Sequence, residues 1–233
     1  MKNTPLTAAA AIATALLLAG CASGPPVPDW KMNAQSSVER FEKAYLAGDA
    51  RVEQAEFERA RSEVGATGKF ELIARIELLR CAARVASLAF DDCTGFEEVR
   101  ADAGEADRAY ADYLLGKARP EQIALLPEAQ RAPASAASDT AAADAVAAIR
   151  EPLSQLVAAG VLLRSNRATP ALLDTAVATA SDQGWRRPLL AWLGVQRLRF
   201  EQAGQHEQSQ RIARRMDVIK TGVRSAIATR PQP

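Results

Sequence analysis

Residues 69–86 read KFELIARIELLRCAARVA and form the most apolar stretch in the N-terminal half of this 233-residue chain. Apolar side chains recur in it every three or four residues, a spacing that predicts an α-helix. A helix with so wide an apolar stripe is covered on more than one side. We therefore expect it to form the centre of the core of the N-terminal half. The stripe comprises Phe70, Ile73, Ile76, Leu79, Ala83 and Ala86, widened by Leu72, Leu78 and Val85.

Helical patterns also extend outward from this stretch in both directions. Hydrophobic residues make up 48% of the chain and charged residues 24%, a balance typical of globular proteins and not of disordered ones. Glycines such as Gly48 and Gly204 close successive periodic segments, and Thr169-Pro170 is a typical helix start. No stretch of the sequence alternates apolar and polar residues for long enough to predict a β-strand. The expected fold is all-α, an antiparallel helical bundle or a short irregular solenoid with two sub-bundles.

The charge distribution and one stretch without helical periodicity predict where the two sub-bundles meet. Residues 22–145 carry a net charge of −7 and residues 146–233 a net charge of +7, although the whole chain has only +1. Residues 127–143 are rich in Ala, Ser, Pro and Asp, as linkers often are. We expect an acidic sub-bundle over 34–126, a linker over 127–143 and a basic sub-bundle over 144–228. The two halves either steer opposite partners, dock on each other, or are simply solvated surfaces.

The N-terminal residues carry a motif of a different kind. Lys2 precedes an apolar run from Leu6 to Leu18, which is shorter than the roughly 20 residues that span a bilayer. The run ends in Leu18-Ala19-Gly20-Cys21. This stretch resembles the signal peptide and lipobox of bacterial lipoproteins, and all four positions of the lipobox match.

This resemblance has consequences for location. It implies that residues 1–20 are a signal peptide and that Cys21 becomes acylated, by a thioether-linked diacylglycerol and an N-acyl chain such as palmitate. Ala22 is not the Asp that typically retains such proteins in the inner membrane, so the resemblance implies the periplasmic face of the outer membrane. Residues 21–33, with several prolines, are expected to be a flexible tether. The alternative is an ordinary secretory signal that happens to contain a cysteine.

The cysteine count depends on this assignment. The chain has three cysteines, so acylation of Cys21 leaves Cys81 and Cys93 as a pair in an oxidising compartment. A disulfide between them requires the chain to turn back before about Phe90, because the two Cα atoms must come within ~7 Å. The alternative is two separate thiols.

The sequence offers little for catalysis. His206 is the one histidine, and it lies at a predicted helix start. No nucleophile elbow, phosphate-binding glycine loop or CxxC motif accompanies it. Acidic pairs such as Asp91-Asp92 and Glu97-Glu98 fall in a loop, where such pairs are usually solvated. We expect no enzyme activity, no cofactor and no metal; a peptidoglycan-acting hydrolase is the disfavoured reading.

One basic and aromatic surface is a candidate for binding a partner or ligand. An anionic glycan, a lipid headgroup or an acidic protein fits its charge, whereas the expected location argues against nucleic acid. The alternative is that Trp185 and Trp192 are packing residues and the arginines are solvated. The candidate residues are Trp185, Arg186, Arg187, Arg197, Arg211, Arg214 and Arg215.

A second, partial resemblance concerns the mature chain. Gly48, Phe57 and Ala60 have the offsets of the turn and second helix of a tetratricopeptide repeat, and Gly204, Ala213 and Met216 repeat those offsets. The two matches are not a whole number of 34-residue periods apart. This resemblance implies a solenoid-like stack of helices. The expected function is a non-enzymatic scaffold or accessory subunit that binds an envelope protein; the alternative is a binding module for a small envelope ligand or anionic glycan near Trp185. The oligomeric state is left open.

Overall fold

A computed structural model describes residues 27–228, with side chains described through residue 222. Within these residues the chain forms eleven α-helices and two 3-10 helices and contains no strand, which confirms the all-α prediction. The α-helices are α1 Asp29–Ala47, α2 Ala50–Gly65, α3 Phe70–Ala86, α4 Thr94–Glu97, α5 Glu105–Leu114, α6 Glu128–Ser135, α7 Asp139–Ala147, α8 Pro152–Arg164, α9 Pro170–Asp182, α10 Arg186–Gln202 and α11 His206–Ala228. The 3-10 helices are Arg100–Asp102 and Pro120–Leu125.

Helix α3 is the apolar stretch of residues 69–86, and it occupies the centre of the molecule. It packs against α1, α2, α4, α5 and α8. Its residues Ala74, Leu78 and Val85 belong to a core cluster that also contains residues of α7, α8, α9 and α10. The expected cover on more than one side is confirmed, although two residues of the predicted stripe, Phe70 and Leu79, are exposed. In addition, α3 organises the core of both halves of the chain, and the two predicted sub-bundles share it.

The turns between neighbouring helices follow from local chemistry. Gly48 ends α1 with φ +83° and Gly204 follows α10 with φ +70°, a left-handed conformation that glycine adopts without steric cost. Asp49 accepts a hydrogen bond from the backbone N–H of Val52 and so caps α2. Thr169 caps α9 in the same way, with Pro170 at its first position, as the sequence predicts.

The predicted tether is shorter than expected at its C-terminal end. Helix α1 begins at Asp29, directly after Pro28, so residues 29–33 are helical and the prediction of a tether over 21–33 is wrong for them. Pro28 precedes the helix in an extended backbone conformation. Asp29 places a negative charge in the first turn, where it interacts favourably with the helix dipole.

The predicted linker over 127–143 is also wrong. It contains α6 and the start of α7, and both pack against α8. The residue that anchors α6 is polar: Gln130 is almost fully buried, accepts a hydrogen bond from the Tyr113 hydroxyl and donates one to the carbonyl of Ser154. The spacing of apolar residues therefore does not predict this helix, because the residue that holds it against α8 is a hydrogen-bonded amide.

None of the helices in the described part of the chain combines the length and the apolar character needed to cross a bilayer.

Candidate functional site

The four lipobox residues, Leu18, Ala19, Gly20 and Cys21, lie outside the described residues. The described chain begins at Val27, and α1 starts eight residues after Cys21.

Cys81 and Cys93 lie at disulfide distance, as the cysteine count predicts. Their Cα atoms are 5.4 Å apart, and both side chains are buried. The chain turns back after α3 through Leu88, whose φ is +57°, and Cys93 itself has φ +50°. The carboxylate of Asp91 accepts a hydrogen bond from the backbone N–H of Cys93 at 3.0 Å, which holds the returning segment in place. The disulfide thus joins the middle of α3 to the start of α4.

Asp91 also lies close enough to the two sulfur atoms for the three residues to be considered as metal ligands. The potential ligand atoms of Cys81, Asp91 and Cys93 all lie within 4.8 Å of one another. Sulfur atoms joined in a disulfide are not thiolates, however, and thiolates are the form of cysteine that binds metal ions. The absence of a metal stays a prediction from the sequence.

A polar cavity of about 350 Å³ opens beside the disulfide, and no motif in the sequence predicts it. Arg61, Arg80 and Arg84 line the cavity. Phe57 and Phe96 also line it. The guanidinium of Arg80 lies 4.0 Å from the centroid of the Phe57 ring. Three arginines spaced along two neighbouring helices thus converge on one space.

Each of these arginines is paired with a carboxylate. Nε of Arg80 lies 3.0 Å from Oε1 of Glu53, and Nε of Arg61 lies 2.7 Å from Oε1 of Glu77. Arg84 pairs with Asp91. Glu53 and Glu77 are both buried, so these pairs neutralise charges that would be costly to bury alone. The arrangement serves the packing of α2 on α3, and its charges are already compensated.

The predicted basic surface divides into two parts, and the first lies at the junction of α10 with α1. Arg187 stacks over the ring of Tyr45 at 4.4 Å and donates a hydrogen bond to the Tyr45 carbonyl at 2.7 Å. Arg186 lies against Gly48, and Trp185 packs against the small cluster that contains Tyr45 and Leu46. Trp185 is thus a packing residue, as the alternative expects, but Arg186 and Arg187 join helices and are not simply solvated.

The second part lies on α10 and α11. Arg197 pairs with Glu201 on the same helix, and Arg214 is exposed. Arg211 and Arg215 line an open groove of about 780 Å³ between α9, α10 and α11. Arg215 donates a hydrogen bond to the hydroxyl of Ser181 on α9 at 3.0 Å.

This groove, which we call the α9–α11 groove, has a mixed lining, with acidic residues on α9 and basic residues on α11. Asp174 and Asp182 lie on α9, across from Arg211 and Arg215 on α11. Gln196 of α10 donates a hydrogen bond to Asp174 at 2.7 Å. The apolar side chains that line the groove are those of Val177, Ala178, Phe200 and Ile212.

The other residues singled out from the sequence have ordinary environments. His206 is exposed at the first position of α11. Trp192 is fully buried, and its Nε1 donates a hydrogen bond to the carbonyl of Ala86 at 3.0 Å. Phe57 and Ala60 are buried on α2, whereas Ala213 and Met216 are half-buried on α11.

Comparison with family models gives no match, and no curated protein or solved structure matches the chain significantly. The function is therefore inferred from the residues and geometry of this chain alone.

Proposed function

We propose that this protein is an outer-membrane lipoprotein, anchored through acylated Cys21, that acts on the periplasmic face as a non-enzymatic scaffold or accessory subunit for another envelope protein. The observation that carries the proposal is the pairing of Cys81 with Cys93. A buried structural disulfide is typical of proteins folded in an oxidising compartment. It accounts for two of the three cysteines and leaves Cys21, in its lipobox, as the residue available for acylation.

The α9–α11 groove supports the scaffold part of the proposal. Its volume, about 780 Å³, and its mixed lining suit a helical segment of a partner protein. The occupant is a helix with an apolar face, which carries a basic residue toward Asp174 and Asp182 and an acidic residue toward Arg211. Edges of opposite charge fix the direction in which such a helix docks.

The alternative of a ligand module at Trp185 has less support. Trp185, Arg186 and Arg187 are engaged with α1 and the turn after it, so a ligand there would have to compete with contacts that join the two helices.

The anchor is tested by metabolic labelling of growing cells with an alkyne-bearing palmitate analogue. The wild-type protein incorporates the label and fractionates with the outer membrane. The Cys21→Ser variant incorporates none and is recovered in the periplasm. The Cys81→Ala/Cys93→Ala variant serves as the control, because it retains Cys21 and is labelled. Membrane fractionation of Cys21→Ser would disprove the proposed anchor.

The partner surface is tested by placing a photo-crosslinking amino acid at Gln196, which lines the groove, and, as a matched control, at Leu198, an exposed position two residues along the same helix. Irradiation of intact cells is expected to give one discrete adduct from position 196 and none from position 198. Arg211→Glu together with Arg215→Glu is expected to abolish the adduct by reversing the charge of one edge. Equal adducts from both positions would show that the groove is not the partner surface.

A further inference from the structure

Three of the most exposed large apolar side chains of the described chain lie at one end of the helical bundle. Val27 is 52% exposed, Met32 51% and Phe70 50%. Trp30, on the first turn of α1, is half-buried and packs against the cluster that contains Val64 and Ile76. Exposed apolar residues that occur singly need no explanation, but several at one end of a bundle indicate a surface that contacts something.

The topology of the first three helices brings these residues to the same end. Helices α1 and α2 form an antiparallel pair, and α3 begins five residues after α2 ends. Asn33 near the start of α1 donates a hydrogen bond to Glu63 near the end of α2, at 3.3 Å. The start of α1, the end of α2 and the start of α3 therefore form one end of the bundle. We call Val27, Trp30, Met32 and Phe70 the tether-side patch.

The position of Cys21 limits what this patch faces. The eight residues from Cys21 to Asp29 span at most about 28 Å, the limit for a fully extended chain of that length. A lipid-anchored Cys21 therefore keeps the start of α1 within that distance of the bilayer surface. The tether-side patch includes Val27, the described residue closest in the sequence to the proposed anchor.

We infer that the tether-side patch rests in the interfacial region of the phospholipid bilayer and orients the bundle on it. This inference rests on the proposed acylation of Cys21. Tryptophan is enriched at membrane interfaces, because its ring is apolar and its N–H remains hydrated, and methionine and phenylalanine contribute apolar contact.

The charges around the patch indicate that the contact is mainly apolar. Lys31 and Lys69 are exposed beside it, as are Asp29 and Glu71, and with the half-buried Glu63 the local net charge is only −1. Attachment of the patch should therefore depend little on ionic strength or on the fraction of anionic lipid.

This orientation has a consequence for the junction of α10 with α1. Tyr45, which contacts α10 through Arg187, lies about 24 Å along the axis of α1 from Asp29. With the patch seated on the bilayer, the start of α10 is held away from the lipid, on the side that faces the periplasm.

The inference is tested with the full-length acylated protein reconstituted in vesicles of phosphatidylethanolamine and phosphatidylglycerol. Some of the lipids carry bromine atoms in the upper part of the acyl chain, which quench nearby tryptophan fluorescence. Trp192 is fully buried and Trp185 lies at the other end of α1, so quenching is assigned to Trp30 by its loss in the Trp30→Phe variant. Flotation of the vesicles measures anchoring in the same samples.

The expected result is flotation of the wild-type protein with strong, salt-insensitive quenching that Trp30→Phe removes. Met32→Ser with Phe70→Ser is expected to reduce the quenching severalfold while flotation continues. The control pair is Leu198→Ser with Val218→Ser, at 52% and 72% exposed positions elsewhere, which should leave the quenching unchanged. The four substitutions to serine are all at exposed sites, and circular dichroism verifies that the variants are folded.

Two contrary results are distinguishable. Flotation without quenching of Trp30 would overturn the inferred seating of the patch and leave the proposed anchor intact. Failure of the wild-type protein to float would overturn the anchor itself, and the seating with it.

Discussion

Gly160 of α8 meets the backbone of Val85 of α3 without room for a side chain between them. A Cβ atom built on Gly160 would lie 2.9 Å from Cγ1 of Val85 and closer still to the Val85 carbonyl oxygen. Both residues are in the core cluster region where the two halves of the chain join. This close approach explains how α8 packs directly on the central helix.

We predict that Gly160→Ala destabilises the protein by about 1–3 kcal/mol, because the added methyl group forces α8 away from α3. Gly194 of α10 is the matched control: it is also inside a helix, but a Cβ atom there meets nothing within 4 Å. Gly194→Ala should instead stabilise by about 0.5–1 kcal/mol through its better helix propensity. Urea unfolding of both variants measures the difference, and a neutral Gly160→Ala would contradict the close approach.

The hydrogen bond from Trp192 to Ala86 ties α10 to the end of α3, where backbone carbonyls lack helical partners. We predict that Trp192→Phe lowers the free energy of unfolding by about 2–4 kcal/mol, since it leaves a buried carbonyl unpaired and a small cavity. Trp30→Phe, at a half-buried position, should cost less than about 1 kcal/mol. Similar losses for the two variants in chemical unfolding would argue against this role of Trp192.

The Cys81–Cys93 pair should contribute measurably to stability. We predict that Cys81→Ala/Cys93→Ala lowers the free energy of unfolding by about 2–3 kcal/mol, the size expected for closing a loop of this length. Treatment of the wild-type protein with a reductant should shift its unfolding midpoint in the same direction. The same reductant should leave the midpoint of the double variant unchanged, and a shift there would point to another cause.

Glu42 of α1 gives a prediction for acidic pH. Partial burial raises the pKa of its carboxyl group above the ordinary value of 4.5, and the nearby charges of Glu151 and Glu39 act in the same direction. The folded state therefore holds the proton more tightly than the unfolded state, and the group's stabilising contribution is lost as pH rises through its folded pKa. We predict that Glu42→Gln is more stable than the wild type at pH 7, and that the difference disappears below the unfolded pKa. Unfolding curves at a series of pH values test this, and a constant difference at all pH values would contradict it.

Tyr113 gives a prediction for alkaline pH. Burial raises the pKa of the Tyr113 phenol well above 10.0, and the neighbouring Tyr110 adds to the shift. Its hydroxyl donates a hydrogen bond to Gln130 at 2.9 Å, which the ionised form cannot do. Since the folded pKa is the higher one, stability is full below pH 10 and is lost as pH rises above it. Tyr113→Phe should cost about 1–2 kcal/mol at pH 7 and show a shallower loss above pH 10. An equally steep loss in the variant would assign the alkaline transition to other groups.

Much of the local structure could be predicted from residues 69–86 and from the spacing of glycines. The apolar stripe of α3 is a local property, and the turns after α1 and α10 need glycine for reasons that lie in the backbone itself. The cysteine count made a pairing of Cys81 with Cys93 one of two alternatives, and the turn through Leu88 decided between them. The linker was mispredicted because α6 is anchored by Gln130, and the hydrogen bonds from Tyr113 to Gln130 and from Gln130 to the Ser154 carbonyl leave no periodic signal.

The amino-acid sequence by itself determined the helical class, the turn positions and the motif around Cys21, because each depends on residues close together in the chain. Only the tertiary structure decided that α3 serves both halves, that Arg186 and Arg187 join α10 to α1, and that Arg211 and Arg215 edge a groove. Those relationships connect residues far apart in the chain, and they depend on how whole helices pack. An arginine that packs between helices differs from one that can bind a partner in its burial and in its charge pairing. Both properties arise only when the helices have packed together.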